Sequence, residues 1–162
     1  MSVAVFPGSF DPITLGHVEV IKRVLPLFDQ VIIAIGINNS KKSLFSEEQR
    51  LEWINAVFAN EPKVKTATFN GLTVDYCKNI GAKFIVRGLR SASDFEYEKT
   101  IAQLNFVLGG DIETIFMISR PVYSHISSTI VKEIIRVNGD VSAFVPKEVK
   151  LYNPATGLGL VH

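Results

Sequence analysis

Along the 162 residues, short runs that are apolar at most positions alternate with longer stretches whose apolar residues recur at helical spacing. Val3–Phe6, Val31–Ile37, Val64–Phe69, Phe84–Val86 and Ile115–Ile118 read as strands. Several are apolar throughout, as parallel strands covered on both faces are. Helical spacing puts Val18, Ile21, Leu25 and Phe28 on one face, and Leu51, Ile54, Val57 and Phe58 on another. A third helix carries Ile101, Leu104 and Leu108, and a fourth Ile130, Val131, Ile134 and Ile135. Ser46-Glu47-Glu48-Gln49 has the form of a capping box, and Asn138-Gly139 that of a left-handed stop.

Strand and helix alternate about five times, which predicts a parallel sheet with right-handed crossovers. The expected fold is α/β: one doubly wound, Rossmann-like domain over residues 1–162, with a five-stranded parallel sheet and helices on both faces. The segment from Asn153, with Pro154, Gly157 and Gly159, is expected to be a flexible tail.

Charge removes some partners from consideration. Lys and Arg number 17 against 16 Asp and Glu, so neither a nucleic acid nor an anionic membrane surface is expected. Phosphate binding would rest on a few placed residues. Cys77 is the single cysteine, which excludes an intrachain disulfide or a cysteine metal cluster and suits a reducing compartment. The start Met-Ser-Val-Ala-Val-Phe-Pro-Gly has no basic leader, and no apolar run approaches the roughly 20 residues of a membrane span. A cytoplasmic protein is expected.

In doubly wound sheets ligands bind beyond the carboxyl ends of the strands. The first such loop, Pro7 to His17, is longer than the roughly 2–6 residues a plain connection needs. Gly8 would allow close backbone approach, Ser9 supplies a hydroxyl, and Gly16-His17 opens a helix whose free amides favour an anion. The bland alternative is an ordinary Asp11-Pro12 turn with His17 as a helix-start residue. Ser40-Lys41-Lys42 follows the second strand and could be simply solvated charge. Thr73 after Asn70-Gly71-Leu72 could merely start a helix. Arg87-Gly88-Leu89-Arg90 puts two guanidiniums at a strand end, suited to bidentate phosphate recognition or to pairing with Asp94, Glu96 or Glu98. Tyr123-Ser124-His125-Ile126-Ser127-Ser128-Thr129 leads into the fourth helix, where three hydroxyls can cap the helix or bind phosphate with its first amides.

Phe-Pro-Gly-Ser-Phe-Asp-Pro-Ile-Thr-Leu-Gly-His, taken with Ile126-Ser127-Ser128-Thr129, resembles the nucleotidyltransferases that carry a Thr/His-x-Gly-His signature. Within them the chain is most similar to the bacterial phosphopantetheine adenylyltransferases, over most of its length. The resemblance implies that ATP and 4′-phosphopantetheine are substrates, with Mg²⁺ accompanying ATP. It also implies a homohexamer and coenzyme A as feedback inhibitor. By resemblance His17 stabilises the transition state. Ser9, Phe10, His17, Gly88, Leu89, Arg90 and Glu98 contact ATP, with the stretch from Tyr123 through Ser124, His125, Ile126, Ser127 and Ser128 to Thr129. Ser9, Lys41, Thr73 and Arg87 contact phosphopantetheine. No metal-ligating protein residues are implied. Leu15 replaces a common Asn and His125 a common Phe; a packing change is expected at Leu15, and altered contacts near adenine at His125.

The implied nucleophile is a phosphate monoester, largely dianionic near neutral pH because its second pKa is about 6. No general base is needed, and none is recognisable among the serines, the cysteine and the three histidines. His17 therefore reads as a charge stabiliser. Rival readings are a relative using nicotinamide mononucleotide, or an alcohol phosphate with CTP, and a non-catalytic nucleotide-binding module. No Gly-x-Gly-x-x-Gly follows the first strand, which disfavours a dehydrogenase.

Overall fold

The computed structural model describes residues 1–151; the tail expected from Asn153 lies outside them. The strands are β1 (Val3–Gly8), β2 (Gln30–Ile37), β3 (Val64–Asn70), β4 (Phe84–Leu89) and β5 (Glu113–Ile118). The helices are α1 (Leu15–Val24), α2 (Glu47–Val57), α3 (Thr73–Ile80), α4 (Ala92–Gly109) and α5 (Ser128–Arg136), and a 3₁₀ turn at Leu25–Leu27 follows α1. The strands form one parallel sheet in the order β3-β2-β1-β4-β5. This is the expected Rossmann-like α/β architecture, and its strand order reverses direction between β1 and β4.

Alternation within each strand sends side chains to two covered faces. Ala4, Phe6, Ile33, Ile35 and Val86 pack with residues of α1, α2 and α5 and with Val141, Val145, Val149 and Leu151. Val3, Val5, Ile32, Ala34 and Ile85 pack on the other face with Val74 and Cys77 of α3. No helix among the described residues is long and apolar enough to cross a membrane.

Several local expectations change. Helix α3 escaped the pattern because only Val74 and Cys77 on it are buried. On α4, Leu104 and Leu108 are half exposed rather than in the core, and Gly109 is the helix's one buried position. Ser46 caps α2 by accepting from Gln49 N–H at 3.2 Å, but the Gln49 side chain turns to Glu52, so the box is one-sided. After α5 the left-handed residue is Asn138 (φ 59°), and Gly139 N–H donates to the Ile134 carbonyl at 2.8 Å.

One register detail opens the sheet. β1 pairs with β2 over six residues, from Val3 to Gly8, but with β4 only at Ala4–Phe84 and Val5–Ile85. Beyond those pairs the carboxyl ends of β1 and β4 part. The Arg87 guanidinium fills the gap by donating from Nη1 to the Pro7 carbonyl.

Candidate active site

Two clefts open where β1 and β4 separate. The larger, of about 350 Å³, is lined by Ser9, Phe10, His17, Gly88 and Arg90, and by Ile126, Ser127, Ser128 and Thr129 from the start of α5. The smaller, of about 270 Å³, is lined by Thr73, Phe69, Tyr97, Ile101, Ala102 and Asn105. Pro7, Gly8, Arg87 and Glu98 form a wall common to both.

The turn after β1 is held rigidly. Thr14 caps α1, its hydroxyl accepting from His17 N–H at 3.4 Å, while Thr14 N–H donates to His17 Nδ1 at 3.1 Å. A backbone amide can only donate, so Nδ1 carries no proton and the neutral ring bears its hydrogen on Nε2. The ring sits edge-on to Phe10, with centroids 5.0 Å apart. Burial first, then the Arg87 and Arg90 guanidiniums, push the imidazolium pKa from 6.5 down to about 4. His17 is therefore a neutral N–H donor at pH 7.

Few amides of α1 remain for an anion. Leu15 N–H donates to the Phe144 carbonyl at 2.9 Å and His17 N–H is taken by Thr14, which leaves Gly16 in the cleft lining. Gly8 also serves a different purpose from the one its sequence position suggests. A Cβ there would stand 3.1 Å from the Phe10 ring, so the glycine makes room for that side chain, whose own φ is +45°.

At the start of α5 the three hydroxyls divide their work. Ser127 caps the helix, accepting from Ile130 N–H at 3.2 Å, and Ser128 donates to the Pro12 carbonyl at 3.0 Å, tying α5 to the first loop. Thr129 stays exposed at the cleft.

Both arginines are paired. Arg87 grips Glu98 through two bonds of 2.9 and 2.7 Å, and Arg90 bonds Asp94 at 3.1 Å and the Ile126 carbonyl at 3.3 Å. Of the two alternatives left open by the sequence, the ion pairs form, with Glu98 and Asp94, and the same side chains line the larger cleft. These pairs hold the forks in place, with the two arginine side chains still 33% and 39% exposed.

Other residues picked out in the sequence stand apart from both linings. Lys41 is exposed on the loop after β2, and Leu89 is buried in the core. Tyr123 and Ser124 are partly buried in the turns before α5, while His125 is exposed with its ring edge-on to Phe144 at 6.2 Å. Leu15 packs partly buried against the core. The sequence reading missed Asn105 and Asp94 as cleft residues. Asn105 was reachable, because Glu98, Ile101, Ala102 and Asn105 fall on one helical face.

The described residues bring no three His, Cys, Asp or Glu side chains together as a metal site. The acidic groups at the clefts, Glu98 and Asp94, are each committed to an arginine.

Comparison with known proteins gives this geometry its context. A cytidylyltransferase-like family model matches residues 5–134. A phosphopantetheine adenylyltransferase of Flavobacterium psychrophilum is 52% identical over 151 residues, covering 93% of this chain and 99% of that protein. The chain belongs to the phosphopantetheine adenylyltransferase family. Family members of the same name from Leptospira biflexa and Lachnoclostridium phytofermentans are 51% and 47% identical, over 91% and 92% of the chain and 92% and 91% of those proteins. A lipopolysaccharide core biosynthesis protein from Thermoplasma volcanium shares the fold, with a TM-score of 0.54 at 21% identity, covering 74% of this chain and 98% of that one.

Proposed function

We propose that this protein transfers the adenylyl group of ATP to 4′-phosphopantetheine, giving dephospho-coenzyme A and pyrophosphate. The observation that carries the reading is the pair of clefts with a common wall at Arg87 and Glu98, the larger holding His17. ATP occupies the larger and the pantetheine arm the smaller, so the α-phosphorus and the 4′-phosphate meet at that wall.

A phosphate oxygen of phosphopantetheine attacks the α-phosphorus as the bond to the β-phosphate oxygen breaks, and pyrophosphate leaves with the electron pair. Both reactants are anionic, so catalysis consists of alignment and neutralisation. His17 Nε2–H donates to an α-phosphate oxygen as charge develops there. Ser9 and the Phe10 backbone contact the reacting phosphates. Arg90, Gly88 and Glu98 hold ATP together with the 126–129 segment, whose Ser128 and Thr129 amides lie at a helix start. Lys41 and Arg87 hold the 4′-phosphate, and Thr73 contacts the pantetheine arm.

Mg²⁺ arrives bound to the ATP phosphates, as suits a cation that keeps much of its water and needs few protein ligands. A homohexamer in the cytoplasm is the proposed working form. The half-exposed or exposed Leu104, Val107 and Leu108 of α4 and Ile118 of β5 support assembly through that apolar surface. Coenzyme A retains the pantetheine arm and is proposed to inhibit by competing for the smaller cleft.

Incubation with ATP and 4′-phosphopantetheine, followed by mass detection of dephospho-coenzyme A, tests the assignment. Nicotinamide mononucleotide with ATP, and glycerol 3-phosphate with CTP, serve as rival substrates. Turnover of either rival in preference to phosphopantetheine would reject the proposal.

A further inference from the structure

Asp11 is 1% exposed and has no role in the chemistry above. Both of its carboxylate oxygens accept backbone amides from a distant segment: Leu44 N–H at 2.8 Å to Oδ2, and Phe45 N–H at 2.9 Å to Oδ1. Lys132 Nζ on α5 stands 3.5 Å from Oδ2. A carboxylate removed from water in this way is tolerable only with its hydrogen bonds and counter-charge in place, so the contact strongly favours a single loop position.

A second brace runs in parallel. Arg50 is 5% exposed and donates from Nη1 to the Ser9 carbonyl at 2.8 Å and from Nε to the Ser46 carbonyl at 3.3 Å. The segment from Leu44 to Ser46 is therefore tied at two points to the Ser9–Asp11 turn. The other end of the same loop closes on Asn38, whose side chain accepts from Ser40 N–H at 3.0 Å and whose carbonyl accepts from Lys41 N–H at 3.1 Å. Lys41 lies between these anchors.

We infer that Asp11 is a positioning residue, setting where Lys41 stands relative to His17 by holding the Leu44–Phe45 backbone against the phosphate turn. This rests on the reading of Lys41 as a ligand of the 4′-phosphate. Asparagine at the same site would turn an NH₂ group toward one of the two donating amides and free that end of the loop.

The test is a double-mutant cycle of Asp11→Asn and Lys41→Ala in the full-length protein, with KM for phosphopantetheine, kcat and the ATP dissociation constant measured for each. Asp11→Asn should raise KM for phosphopantetheine about tenfold or more, the scale of losing hydrogen bonds to a charged group, with ATP affinity essentially unchanged. In the Lys41→Ala background the same substitution should add no further increase. A full Asp11→Asn effect on top of Lys41→Ala overturns the positioning role while leaving Lys41 as a ligand. An unchanged KM in Lys41→Ala alone rejects the Lys41 assignment and the inference with it. Should Asp11→Asn fail to fold, Leu44→Pro removes one donating amide at a partly exposed position. It should show the same dependence on Lys41, and additivity would again overturn the inference.

Discussion

Replacing His17 with Gln separates its charge from its place in the helix cap. Gln at the third helical position can accept the Thr14 amide as His17 Nδ1 does, so the cap survives, but its amide does not titrate. The folded His17 has a pKa of about 4 against 6.5 for the free side chain. Between those values the unfolded chain binds the proton and the folded one does not, so stability rises with pH across the window. The contribution is fully present above 6.5, falls as pH drops toward 4, and is gone below both values. At about 1.4 kcal/mol per pH unit, the full span corresponds to about 3 kcal/mol, most of which is lost by pH 4.5. Urea unfolding of both proteins at pH 7.0 and 4.5 measures this as a double difference. Asp29 and Asp111, whose carboxyl pKa values are lowered by Ser2 and Lys83 hydrogen bonds respectively, are common to both proteins and cancel. Wild type should lose about 2–3 kcal/mol more than the variant on acidification. A double difference near zero, or a His17 ring signal titrating near 6.5 by NMR, would refute the neutral, tautomer-fixed imidazole. Activity of His17→Ala gives a second readout, because removing the proposed transition-state donor should lower kcat by about 10²–10³-fold.

Arg87→Lys keeps the charge but loses the fork that grips Glu98 and Pro7, and steady-state assays should show KM for phosphopantetheine rising about tenfold or more. At Gly139 an added Cβ would stand 2.5 Å from Ile134 Cγ2 and 3.1 Å from its carbonyl oxygen. Gly139→Ala should therefore lower unfolding stability by about 1–3 kcal/mol in denaturant titration, with the cleft intact. Val107, at 79% exposure, should tolerate Glu in the monomer, so Val107→Glu should lower the mass seen by sedimentation without unfolding the chain if α4 forms the assembly face.

The parts of the site legible in the sequence are those whose residues are neighbours in the chain. Ser9, Thr14 and His17 fall within one loop-to-helix segment, and Ser127 to Thr129 within another, so chain position alone brought their chemistry together. The Arg87–Glu98 pair spans eleven residues and was visible only as one of several alternatives. The braces at Asp11 and Arg50 were not legible, because their partners lie 33 to 41 residues away and a buried Asp or Arg looks like any other until its amides and carbonyls are found. The face formed by Ile101, Leu104 and Leu108 shows a different limit. Spacing reveals that a helix has an apolar side, but not whether this chain covers it.

The neutrality of His17 joins the fold to the reaction. In the cleft, burial and two guanidiniums oppose a further positive charge, and the Thr14 amide holds Nδ1 as an acceptor, so the ring presents one N–H and no net charge. On the proposed function, two phosphate esters entering that space would reverse the sign of the local field. The same imidazole then stands beside oxygens that gain negative charge as the α-phosphorus is attacked. In that proposed role its Nε2–H bond would strengthen along the reaction coordinate more than it does in the ground state, which is the condition for an interaction to raise kcat rather than merely tighten binding. A histidine already charged in the free protein would hold ATP more tightly at rest and offer a smaller difference between the two states.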